Sequence, residues 1–289
     1  MNAEQAFETL KYNISHEKRD SLEQIVSEDA EFSFRYAKFV IEGRFELGEA
    51  AICQSEEWSF WYAHDVIQGR WEPGEKAISK NPAFASDYAE YLIRGRWEPG
   101  EAAISKNAVF SIQYARDVIG GRWQPGEPAI SVEAYCSVLY AQQVIKGRWK
   151  LGEPAICQDA EAAHKYARCV IKGRFELGEL AICQDALESY KYAQDVVRGR
   201  FQLGEAAISK SDEYAFLYAK RVIRGNWTQE LAMMCPCWLY IYAEDVSKGR
   251  LPTVMHNTML AFGMIDSSDK YVRKYFEFTK CRVEKKAEF

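Results

Sequence analysis

The sequence predicts an all-α fold, a right-handed α-solenoid of 26-residue two-helix repeats with capping segments at both ends. Three observations carry that prediction. Tyr36, Tyr62, Tyr88, Tyr114, Tyr140, Tyr166, Tyr192 and Tyr218 stand 26 residues apart, and Tyr242 follows after 24. Around each tyrosine, apolar and small residues recur at the i, i+4 spacing of an amphipathic helix. Each such stripe lies between a helix-starting residue and a glycine. A fixed period of this length is the signature of stacked repeats that bury one another's apolar faces.

Numbering each copy from its tyrosine as position 0, the apolar and small columns are −4, −3, 0, +1, +4 and +5. This is the longer helix of the repeat. Position −4 is often aromatic (Phe32, Trp58, Phe84, Phe110, Trp238), while −3 is small (Ser33, Ser59, Ala85, Ser111, Ala163), so large and small ridges alternate for close packing. Its start is marked by Asp29, Ser55, Asn81, Asn107, Asp159, Asp185 and Ser211, all good N-caps, with Glu133 the exception. Its end is marked by Gly43, Gly69, Gly95, Gly121, Gly147, Gly173, Gly199 and Gly225, read as left-handed caps. Arg-Trp or Arg-Phe, then Pro-Gly or Leu-Gly, then Glu-x-Ala-Ile follow, predicting a short loop and a second helix of about two turns. The chain divides into an N-terminal cap (1–20), the repeat array (21–250) and C-terminal capping helices (251–289). In the last full copy Arg is replaced by Asn226 and the Pro-Gly is lost, as expected where an array closes.

The string Tyr-Ala-x-x-Val-Ile-x-Gly-Arg-Trp-x-Pro-Gly-Glu, matched in Tyr88 to Glu101 except for Leu92 in place of Val, resembles a short helical repeat of largely uncharacterised bacteriophage and bacterial proteins. The resemblance spans about three quarters of the chain. The architecture is similar to armadillo, HEAT and tetratricopeptide solenoids, although the repeat is shorter. A phage origin implies action on a host factor, such as one of its defences.

With 48% hydrophobic residues and a net charge of −5, the chain is globular, and overall charge selects neither nucleic acid nor an acidic membrane as partner. No secretory leader or membrane-length apolar run is visible, so a soluble cytoplasmic protein is expected. No motif indicates an enzyme, cofactor or metal. Cys53, Cys157 and Cys183 share a column with serines, Cys235 and Cys237 lack further ligands, and the four histidines share no column.

One Arg and one Glu recur in each copy, as in Arg70 with Glu75 and Arg96 with Glu101, and their sameness marks them as structural. Function in a solenoid resides in exposed columns that vary. Here these are −1, +2, +3 and +6. Lys146, Arg168, Lys172, Arg198, Lys220, Arg224 and Lys248 form a basic stripe, and Phe39 and Tyr91 are outward aromatics. The expected role is a non-enzymatic scaffold, adaptor or inhibitor binding a partner protein. The alternatives are nucleic-acid binding along the same stripe and DNA mimicry by an acidic rim of Glu56, Glu57, Asp159, Glu161, Asp185, Glu188, Asp212 and Glu213.

Overall fold

The computed structural model describes residues 1–12, 15–227, 234–266 and 268–287, with the side chains of 281–287 outside the description. Among these residues every regular element is helical, and consecutive helices pack on one another as in an all-α repeat solenoid. The chain forms two compact units, Met1–Gly152 and Glu153–Phe289. The boundary falls inside the repeat register, so both units are built from the same copy.

Each copy begins with a short α-helix, for example Pro82–Asp87 in the first unit and Ala186–Tyr192 in the second. The N-cap column acts as its chemistry predicts: the side chains of Asp29, Ser55, Asn81, Asn107, Asp159 and Asp185 accept first-turn backbone N–H groups. Ser211 and Glu133 make no such bond. From the tyrosine onward the helix widens into a π-helix of five or six residues, as in Tyr88–Ile93 and Ala193–Val197.

The helix end corrects the expectation from sequence. The left-handed residue is not the glycine at +7 but the residue before it: Glu42, Gln68, Arg94, Gly120, Lys146, Lys172, Arg198, Arg224 and Lys248, with φ between 50° and 70°. The π register explains the displacement. The N–H of Arg198 and that of Gly199 both reach back to the carbonyl of Ala193, one residue farther than an α-helical cap would reach. The turn therefore closes one residue early, and six of its nine left-handed positions carry Lys or Arg, side chains with no natural preference for that conformation.

The second helix is short, and its first turn holds the glycine at +12. A Cβ on Gly100 would stand 2.6 Å from the Trp97 ring and 2.9 Å from the Ala85 Cβ. On Gly204 it would meet the rings and Cβ of Phe201 and Ser189 at 2.6 to 2.7 Å. This glycine, unlike the one at +7, is required by close packing. The small −3 column that faces it also anchors the backbone: the Ser59, Ser111, Ser137 and Ser189 hydroxyls donate to the Ile carbonyl seven residues earlier.

Helices Ala3–Leu10 and His16–Ser27 precede the first full copy, and Thr253–Ile265 and Lys270–Ala287 follow the last. Their buried residues, among them Phe7, Leu22, Met259 and Tyr275, cover the end layers of the unit to which each belongs. No helix among the described residues is long and apolar enough to cross a membrane.

Candidate functional site

The most uniform columns form an inter-layer clamp. Every repeat tyrosine is fully buried. The hydroxyl of Tyr114 accepts the N–H of Trp97 at 2.9 Å and donates to Glu101 at 3.0 Å, and Glu101 takes two parallel bonds from the Arg96 guanidinium at 2.7 and 3.1 Å. The same set joins Tyr88 with Trp71, Glu75 and Arg70, and Tyr192 with Phe175, Glu179 and Arg174. One polar group thus satisfies a buried backbone donor, a carboxylate and the next layer together. Burial, followed by the adjacent carboxylate, pushes the hydroxyls of Tyr88, Tyr114, Tyr140 and Tyr192 up to about 12.

The clamp extends beyond the recognisable copies. Tyr36 donates to Glu23 at 2.5 Å and accepts from Arg19, which takes the place of the backbone donor. At the other end the hydroxyl of Tyr275 accepts the N–H of Leu251, nine residues after Tyr242, and meets His256 Nδ1 at 2.6 Å. Tyr275 stands 33 residues after Tyr242, so spacing gave no sign of its role.

The −2 column was missed for a different reason. Phe34, Phe60, Ile112, Val138, His164, Tyr190 and Phe216 are all buried there, yet they share no side-chain type. His164, 4% exposed, is held by Glu188 at 2.8 Å, and Glu188 also receives Lys191 at 2.7 Å. Burial raises the Glu188 carboxyl, but His164 and Lys191 together bring it below the usual range. The acidic rim is accordingly partly engaged: Asp159 and Asp185 cap helices, Glu188 is buried, and Asp212 accepts the N–H of Cys235.

The variable columns line the π-helical ends of the copies. Phe39 and Tyr91 are 61% and 51% exposed. The basic stripe separates into two sets. At +2, Lys38, Arg168 and Lys220 each bridge to the +3 aspartate of the next copy, Asp65, Asp195 and Asp245. At +6, Lys146, Lys172, Arg198 and Arg224 are exposed, and no hydrogen bond or ion pair engages them among the described residues. Lys248, also exposed, continues the column.

Grooves open between neighbouring π-helical ends where the +2 to +3 bridge is missing. One, about 410 Å³, is lined by His64, Gln68, Tyr91, Leu92 and Arg94. Its counterpart in the second unit, about 560 Å³, lies among Gln194, Arg198, Arg221 and Arg224.

Among the described residues no group of three or more His, Cys, Asp or Glu side chains is arranged to hold a metal ion. Cys235 and Cys237 lie with their sulfurs 2.8 Å apart, and burial and the neighbouring thiol push Cys235 up to about 11. No family model matches the chain, and neither a search of curated proteins nor one of solved structures finds a relative.

Proposed function

We propose that the chain is a non-enzymatic binding scaffold, an adaptor or inhibitor, that recognises an acidic face of a partner protein through the exposed ends of its long helices. One observation carries this reading. The +6 backbone is the same in every copy, yet its side chain varies in the first unit, through Glu42, Gln68, Arg94, Gly120 and Lys146, and is only Lys or Arg in the second. Helix-dipole complementarity favours cations at a helix C-terminus. It acts equally on all copies, so it does not account for the difference between the units. Lys172, Arg198 and Arg224, unpaired among the described residues and set on a recurring backbone, are suited to complementary charge on a partner. The likeness to phage and bacterial repeats makes a host protein the first partner to seek.

The test is capture by the immobilised full chain from an extract of the host, with bound proteins identified by mass spectrometry. The comparison is with a Lys172→Glu, Arg198→Glu, Arg224→Glu chain. Loss of an acidic partner is expected. An unchanged set of captured proteins removes this face from consideration, and retention of DNA or RNA that falls steeply with added salt would favour nucleic acid instead.

A further inference from the structure

We infer that the groove among Arg198, Arg221 and Arg224 is a pocket for a phosphorylated side chain of the partner protein, an assignment that rests on the scaffold reading above. The groove differs from both its neighbours in the second unit by a pair of residues. In the copies on either side, +3 is an aspartate, Asp195 or Asp245, neutralised across the groove by the +2 cation Arg168 or Lys220. Here +2 is Gln194 and +3 is Arg221. The bridge is lost, the groove opens to about 560 Å³, and no carboxylate among the described residues lines it.

Three arginines then line one space. Arg221 Nη1 is 3.3 Å from the Tyr190 hydroxyl, a buried side chain, which leaves its remaining donors for a ligand. Arg198 and Arg224 extend from left-handed helix ends and have no hydrogen-bond or ion-pair partner among the described residues. In the flanking grooves one cation suffices for one carboxylate. Three guanidinium forks match instead a dianion with three acceptor oxygens, the geometry of a phosphoryl group. The volume also admits the chain segment that carries it, and arginine clusters are the usual means of reading phosphorylated motifs. A continuous polyanion fits less well, because the carboxylates Asp195 and Asp245 lie on either side of the arginine groove.

The test uses the full chain and fluorescence anisotropy with a degenerate phosphoserine peptide library, its unphosphorylated counterpart and a single-stranded oligonucleotide. The decisive variant is Gln194→Lys, Arg221→Asp, which recreates the bridge of the adjoining copies and so keeps the fold, as an unchanged thermal midpoint will verify. The phosphorylated library should bind at least about tenfold more tightly than the unphosphorylated one, and the variant should abolish that preference. Equal binding of both libraries, or a preference that survives in the variant, overturns the assignment. So does an oligonucleotide that binds more tightly than the phosphopeptides and is lost with the same variant. Partner capture that persists in this variant, without any phosphate preference, overturns the pocket while leaving the scaffold reading intact.

Discussion

The two faces of a repeat obey different rules. On the clamp face, Tyr, Glu, Arg, the aromatic at +9 and the glycine at +12 recur because each completes another's bonding or packing, as Tyr114, Glu101, Arg96, Trp97 and Gly100 do together. On the π-helical face the backbone recurs and the side chains do not: φ stays between 54° and 58° at Glu42, Gln68, Arg94 and Lys146 while charge reverses. Sameness therefore reports what holds the layers, and variation over a fixed backbone reports what is free to meet a partner.

The largest effect that would sharpen this contrast is alkaline. Burial, with the adjacent carboxylates, pushes the hydroxyls of Tyr88, Tyr114 and Tyr192 from their ordinary 10.0 up to about 12, so the folded state favours the neutral phenol. Their contribution is complete below pH 10 and is lost as pH rises from 10 through 12. Tyrosinate absorbance and helical circular dichroism should change together in that window; early ionisation without loss of helix would separate the tyrosines from the clamp.

The two glycine columns give the next contrast. Gly100→Ala should cost about 2 to 3 kcal/mol, since its Cβ meets the Trp97 ring at 2.6 Å, whereas Gly95→Ala finds nothing within 4 Å and should cost less than about 1 kcal/mol. Chemical denaturation of the two variants compares them directly. Tyr114→Phe, which orphans the Trp97 N–H and one Glu101 bond, should cost about 2 kcal/mol by the same measurement. On the other face, Lys172→Gly should stabilise by roughly 0.5 to 1 kcal/mol, because φ of 57° suits glycine better than lysine.

Much of the clamp face is legible in the sequence. The period, six of the N-caps and the Arg–Glu pairs follow from side-chain chemistry that a sequence displays. What escaped notice depends on the path of the backbone. The π register shifts hydrogen bonds without a residue signature, so the sequence points to Gly199 where the left-handed turn falls on Arg198. The −2 column is buried by position alone, with Phe60, Val138 and His164 filling equivalent space. Tyr275 joins the clamp from outside the period. Arg221 was hidden in a column where aspartate is the commonest residue, and its meaning required the groove to be seen.

The smallest expected effect belongs to Trp97→Phe. Its indole N–H is buried without a partner among the described residues, and Phe45, Phe175 and Phe201 already fill the same column, so the loss of volume and the relief of that donor should nearly cancel, within about 1 kcal/mol.

The division between the two faces is tested most directly by the thermal midpoint of a Lys172→Gln, Arg198→Gln, Arg224→Gln chain, glutamine being the residue already present at Gln68. With the clamp untouched, the midpoint should remain within about 2 °C of the parent. A fall as large as that of Tyr114→Phe would mean that these cations hold the layers together, and the separation of structure from recognition would be wrong.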